Sequence, residues 1–151
     1  MIRIFPATIS IFDTPTEYAI IVPVNTVGVA GAGLAKAAAQ RYPLWAKDYK
    51  TAFEGKFTAG AVVLHVIRSC PRRYWVSFAT KTHWQEKSSL SAIREGLDNL
   101  VLKLTFSPSW NGVPLAVPAL GCGLGGLAWD QVYPLLVSAL SPLDRDVIIF
   151  P

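Results

Sequence analysis

Two short stretches of this sequence concentrate glycine: Gly28-Val29-Ala30-Gly31-Ala32-Gly33 and Gly121-Cys122-Gly123-Leu124-Gly125-Gly126. Each follows an apolar run and precedes a run of helix-forming residues. Glycine lets the backbone come close to a ligand and turn its N–H groups inward. A helix N-terminus adds partial positive charge, so phosphate is the natural guest. Two familiar nucleotide motifs fail here. A P-loop needs Lys and then Ser or Thr after its second glycine, and Leu34 and Ala35 follow Gly33. Gly121, Gly123 and Gly126 have dinucleotide spacing but stand near the C-terminus, where too little chain follows for the acid-bearing strand of a Rossmann unit. Taken alone, each stretch is equally well a structural turn.

The side chains between them are few. Lys81 stands just after an apolar run, Tyr74 to Ala79, which places an amine at the ligand end of a strand. A lysine without context is a solvated surface charge. Asn25 ends another apolar run and can simply turn the chain. His83 reads as a loop residue, and Trp84 and Trp129 as core aromatics, with Trp84 the better candidate to stack on a base. Cys122 has no positional link to His65 or His83 that would make a nucleophilic pair. Asp13 reads as a turn residue.

These groups need elements to hold them. Met1 to Ile9 is β-branched and broken by Pro6, as an edge strand running into an extended stretch. Tyr18 to Val24 is continuously apolar, as in a strand buried on both faces, although Pro23 limits pairing near its end. Leu34 to Arg41 predicts a helix, and Pro43 opens a second that runs toward Gly55. Ala61–Arg68 and Tyr74–Ala79 predict two strands joined tightly enough for a hairpin. Ser88 or Ser89 caps a helix whose apolar face is Leu90, Ile93, Leu97, Leu100, Val101 and Leu104. Pro114–Val117 predicts a short strand, Trp129 or Asp130 to Leu140 a helix interrupted or bent at Pro134, and Arg145–Phe150 a last strand. Strands alternating with helices predict a three-layer α/β/α domain around a mixed sheet of about six strands, spanning 1–151 without a boundary.

Composition agrees. The 151 residues are 52% hydrophobic and 16% charged, which excludes a disordered chain. The cysteines, Cys70 and Cys122, make neither a disulfide framework nor a zinc site, and suit a reducing cytoplasm. There is no apolar run of membrane-spanning length and no signal-peptide pattern. A net charge of +4 suits a polyanionic partner. Arg68, Arg72, Arg73, Lys81, Lys87 and Arg94 are candidates for a phosphate track.

Three blocks then carry a resemblance. Val22 to Ala35 resembles the first ligand loop of macrodomains, and Val117 to Trp129 their second. Between them, Phe78-Ala79-Thr80-Lys81-Thr82-His83-Trp84 with Ser88 resembles a block of the antitoxin-type, thymidine-directed DNA ADP-ribosyl glycohydrolases. The resemblance implies that Asn25 binds the distal ribose and that Lys81 is catalytic. Thr26, Gly28, Val29, Gly31, Gly33 and Thr80 would line the ADP-ribose on one side, and Gly121, Cys122, Gly123, Leu124 and Gly125 on the other. Trp84 and Ser88 would meet the substrate base or nucleic acid. No metal and no cofactor are implied. The partners implied are ADP-ribose or ADP-ribosylated DNA and a cognate DNA ADP-ribosyltransferase toxin, with a monomeric protein. Three features depart from the family. Val22 replaces the first asparagine of the N-x-x-N pattern. Gly125 stands where a lysine-plus-aspartate branch has its acid. The adenine-holding residue falls at Ser10 or Asp13.

The expected function is removal of ADP-ribose from thymidine in single-stranded DNA. Lys81 would act either as a neutral nucleophile at C1″ or as a charge that stabilises the leaving base. Two other functions compete: a non-catalytic ADP-ribose-binding module, and a hydrolase of free derivatives such as the 1″-phosphate or O-acetyl ester.

Overall fold

The computed structural model describes residues 1–6 and 8–151. The extended stretch expected after Pro6 includes Ala7, which lies outside the described residues. Six strands form one sheet: β1 (Ile2–Ile4), β2 (Ala19–Asn25), β3 (Val62–Val66), β4 (Tyr74–Lys81), β5 (Leu115–Pro118) and β6 (Val147–Phe150), in spatial order β1-β6-β5-β2-β4-β3. All neighbours are parallel except β3 and β4, the expected hairpin. The helices are α1 (Gly33–Arg41), α2 (Pro43–Phe53), α3 (Leu90–Thr105) and α4 (Trp129–Leu140).

The period-two alternation of β2 builds both faces of the core. Ile20, Val22 and Val24 pack with Trp45, Tyr49 and Phe53 of α2 and with Ala35 and Ala38 of α1. Ala19 and Ile21 point the other way, toward Ile93, Leu97 and Leu100 of α3 and Val132 and Leu136 of α4. The three layers follow, and the apolar run of β2 is the strand buried on both sides. Helix α3 starts where Ser89 accepts a hydrogen bond from the Ala92 N–H at 3.1 Å, the capping that the serine pair predicted. It rides so close to the sheet that a Cβ on Gly96 would stand 2.3 Å from the Phe78 ring.

Some boundaries differ from expectation. Strand β4 continues through Thr80 to Lys81, because Lys81 still pairs with Asn25 of β2. Helix α4 runs unbroken through Pro134. Two short 3-10 turns add to these elements: Ile11–Asp13, where Asp13 reads as a turn residue, and Pro108–Trp110, which the sequence reading does not include. Among the described residues no helix is long and apolar enough to cross a membrane.

Strands β2 and β5 pair only at Ala19–Leu115 and Ile20–Ala116, then separate. Helix α1, which follows β2, covers one face, and α4, which follows β5, covers the other. Their diverging ends form the switch point at which an α/β sheet opens a crevice.

Candidate active site

The crevice is a cleft of about 630 Å³ between the two glycine loops. Its floor and walls include Asn25, Val29, Gly31, Gly33, Thr80, Lys81 and Trp84, with Gly121, Gly123, Leu124 and Gly125 opposite. The loops nearly meet across it: Leu124 Cδ1 lies 4.0 Å from where a Cβ of Gly33 would stand. Helix α1 begins in the cleft with no side-chain cap, leaving its first N–H groups turned to the opening. Among the described residues, no protein acceptor takes the N–H groups of Gly123, Leu124 and Gly125. Aligned donors of this kind suit a diphosphate.

Lys81 closes β4 and pairs in register with Asn25, which closes β2. A bulge between Val24 and Asn25 skips Thr80. The amine and the amide therefore stand at adjoining strand ends, and both line the cleft. Lys81 is half-buried, and among the described residues no carboxylate lies within 4.0 Å of it. Asn25 is buried and largely spent on its own loop. Its Oδ1 accepts from the N–H of Gly28 at 3.1 Å and of Val29 at 3.3 Å, and its Nδ2 donates to Val29 O at 2.8 Å. One amide hydrogen remains for a ligand. Below it, the Tyr49 hydroxyl donates to Asn25 O at 2.7 Å. Burial holds the Tyr49 pKa above its ordinary value, so the group stays a donor.

Four of the nominated residues do not line the cleft. The Thr26 hydroxyl is buried and donates to Thr82 O at 3.1 Å, tying the first loop to the end of β4. Gly28 turns the chain at φ +94°, and a Cβ there would meet the Lys50 backbone at 3.4 Å. Cys122 packs partly into the core with its Sγ 3.6 Å from Leu120 O, and burial pushes its thiol pKa up, away from a reactive thiolate. Ser88 is buried beneath the second loop, where its N–H donates to Gly125 O at 3.0 Å. A Cβ on Gly125 would stand 2.3 Å from Ser88 Oγ, so glycine is required at that position.

The two candidates for the adenine side, Ser10 and Asp13, stand differently to the cleft. Ser10 and Ile11 line the cleft near Phe150, and Asp13 does not. That wall is held by a residue whose role sequence reasoning misread. Arg72 is fully buried and donates to the carbonyls of Phe12, Thr14, Pro15 and Tyr18. It is therefore no part of a phosphate track. Arg68 and Arg73 flank the hairpin at the opposite end of β4, roughly 25 Å of extended strand from Lys81. Of the six cations in the expected track, the cleft rim keeps Lys81 and Lys87, the latter 3.4 Å from Leu124 O. Arg94 is exposed on α3.

One further cluster has the composition of a hydrolytic triad. His65 Nδ1 lies 2.6 Å from Asp48 Oδ2, and its Nε2 lies 2.7 Å from Ser77 Oγ. Ser77 is fully buried and accepts from Trp45 Nε1 at 3.2 Å, so no substrate reaches it. The cluster braces α2 on the sheet.

The comparisons with known proteins agree with this geometry. A family profile described as the Macro domain matches residues 21–136. The DNA ADP-ribosyl glycohydrolase of Mycobacterium tuberculosis is 37% identical over 136 residues, which cover 88% of this chain and 38% of that relative. The chain thus spans well under half the length of that protein. The solved macrodomain of Mycobacterium tuberculosis DarG superposes with a TM-score of 0.88 at 34% identity, covering 100% of this chain and 97% of that one. The structure of Thermosipho africanus DarTG in complex with ADP-ribose superposes at 0.81 with 33% identity, covering 92% of this chain and 38% of that one.

Proposed function

This chain belongs to the Macro domain family, and we propose that it removes ADP-ribose from thymidine in single-stranded DNA through Lys81. The observation that carries the proposal is the pairing of Lys81 with Asn25 at adjoining strand ends, on the wall of a cleft that both glycine loops line. The names of its relatives support the substrate: the proteins from Mycobacterium tuberculosis and Thermus aquaticus are both called DNA ADP-ribosyl glycohydrolase.

In this reading the N–H groups of Gly123 to Gly125 and of the α1 N-terminus hold the diphosphate. The remaining amide hydrogen of Asn25 meets the distal ribose, and Ser10 and Ile11 border the adenine end. The glycosidic bond at C1″, to a nitrogen or an oxygen of the base, breaks through an oxocarbenium-like state, and its electron pair leaves with the thymine base. A neutral Lys81 amine would attack C1″, and water would then release the ribose. A protonated Lys81 would instead stabilise the departing base anion while water adds to C1″, and the proton that water loses neutralises the base. A DNA ADP-ribosyltransferase is the counterpart that supplies the substrate; one relative, from Thermosipho africanus, is named as a fusion of the two activities. The protein acts as a cytoplasmic monomer.

Lys81→Ala tests the proposal. Release of ADP-ribose from modified single-stranded DNA should fall about a hundredfold or more. Calorimetry should still show ADP-ribose binding, because the loops hold the diphosphate independently of this side chain. Lys81→Arg separates the routes: arginine keeps the charge but cannot become a neutral nucleophile. Activity retained in Lys81→Arg assigns the role to charge, and activity lost assigns it to attack. Full activity in Lys81→Ala would remove Lys81 from catalysis. A wild-type protein that binds ADP-ribose but releases none from any substrate would be a binding module.

A further inference from the structure

The segment from Thr82 to Ser88 ties the two ligand loops together across the mouth of the cleft. At one end Thr82 O accepts from both the N–H (3.0 Å) and the hydroxyl (3.1 Å) of Thr26 in the first loop. At the other, the Ser88 N–H donates to Gly125 O of the second loop at 3.0 Å. Between these anchors the strap presents an aromatic pair. The His83 and Trp84 rings stack with centroids 3.8 Å apart and planes at 28°. Trp84 is 47% exposed and lines the cleft edge beside Lys81. His83 is fixed from its other side, since its Nδ1 accepts from the Gln85 N–H at 3.2 Å. One indole face is covered by a ring that cannot swing away freely.

A lysine stands near each anchor. Lys56 follows Gly55, whose N–H donates to Thr26 O at 2.8 Å, so it lies on the first-loop side. Lys87 lies on the second-loop side, its Nζ 3.4 Å from Leu124 O. Both are exposed. Glu54 and Glu86 are the nearby acids, and among the described residues neither comes within 4.0 Å of a lysine.

We infer that this strap is a docking surface for the DNA strand flanking the modified nucleotide: a neighbouring base stacks on Trp84, and Lys56 and Lys87 take phosphates on either side. The inference rests on the proposed DNA substrate. A rigid aromatic face with a cation at each end is the arrangement that single strands use, because every base has a π-face and every linkage a charge. It moves the phosphate path away from the hairpin arginines to the rim where Lys81 stands.

The test is binding of an unmodified single-stranded oligothymidylate, followed by fluorescence anisotropy across a salt series, with ADP-ribose binding measured in parallel. The Lys56→Gln/Lys87→Gln variant should weaken oligonucleotide binding about tenfold and reduce the salt slope by roughly 1.4, at about 0.7 per phosphate contact. Its affinity for ADP-ribose should fall much less than its affinity for the oligonucleotide. Trp84→Ala should weaken the oligonucleotide about tenfold, and Trp84→Phe should restore most of it. Arg68→Gln/Arg73→Gln removes equal charge at the far end of the sheet and should leave the oligonucleotide affinity intact. An equal loss in the two double variants would overturn the inference, as would the absence of oligonucleotide binding by the wild type at low salt. Failure of the wild type to release ADP-ribose from modified DNA is a separate result, and it bears on the catalytic proposal alone.

Discussion

Asn25 shows how little of a side chain can be left for a ligand once a loop has been built. Its amide accepts from two backbone N–H groups and donates to the Val29 carbonyl, while its own carbonyl is held by Tyr49. Asn25 and Lys81 were legible in the sequence because a polar residue directly after an apolar strand lands at the ligand end of a sheet. Tyr49 was not legible: it sits among the apolar positions of α2, and only its neighbours reveal that the hydroxyl has a task. Removing that hydroxyl leaves a buried carbonyl without a donor, a cost of about 1–3 kcal/mol. Tyr49→Phe should therefore lower the melting temperature by several degrees and weaken ADP-ribose severalfold in calorimetry, because the first loop loses its underpinning. An unchanged ADP-ribose affinity would show that Asn25 holds the loop unaided. Arg72 carries the opposite lesson. A cation that reads as a candidate for the phosphate track is buried, with four carbonyls of the 12–18 segment around it.

At the scale of elements, the alternating apolar pattern of β2, the serine before α3 and the glycines before α1 predicted the layers and the position of the cleft. Their signals are local, so a single sequence carries them. The contacts between loops are not local. Nothing in the spelling of Ser88 and Gly125 says that the serine fills the space a side chain at 125 would need. That contact makes the two exposed-looking glycines of the second loop respond differently to substitution. A Cβ on Gly125 would stand 2.3 Å from Ser88 Oγ and 2.5 Å from Gly121 O, whereas one on Gly123 would meet nothing within 4 Å. Gly125→Ala should displace the loop and destabilise the domain by about 1–3 kcal/mol, read as a lower urea midpoint. Adding Ser88→Gly should recover part of that loss. Gly123→Glu should leave the midpoint unchanged and abolish ADP-ribose binding, because its carboxylate would occupy the cleft and repel the diphosphate. A Gly123→Glu variant that still binds ADP-ribose would place the diphosphate elsewhere.

For the whole molecule, the buried chain from Asp48 through His65 to Ser77 and Trp45 couples α2 to the centre of the sheet. The donor order that satisfies every atom is a neutral imidazole, with Nδ1–H donating to Asp48 and Nε2 accepting from the Ser77 hydroxyl. Burial lowers the His65 pKa from its ordinary 6.5, and Asp48 opposes that shift without cancelling it. The unfolded chain then binds a proton near pH 6.5 that the folded chain resists. Stability from this group is complete above that pH and is lost as the pH falls below it, by up to about 1.4 kcal/mol per pH unit until the folded histidine also protonates. Urea midpoints measured from pH 7.5 to 5.0 should therefore decline toward acid. His65→Gln should be less stable at neutral pH, because Asp48 and Ser77 lose their shared partner, but its decline across the same range should be shallower. An identical slope in both proteins would assign the acid sensitivity to other groups. The consequence reaches the ligand cleft through helix α2. The incoming proton goes to Nε2, which can then no longer accept from Ser77; Ser77 also holds Trp45 Nε1, and Trp45 stacks on Tyr49 with ring centroids 5.3 Å apart, so the disturbance reaches the hydroxyl beneath Asn25. ADP-ribose affinity should weaken over the same pH window in the wild type, and to a smaller extent in Tyr49→Phe, where that connection to the first loop is already cut.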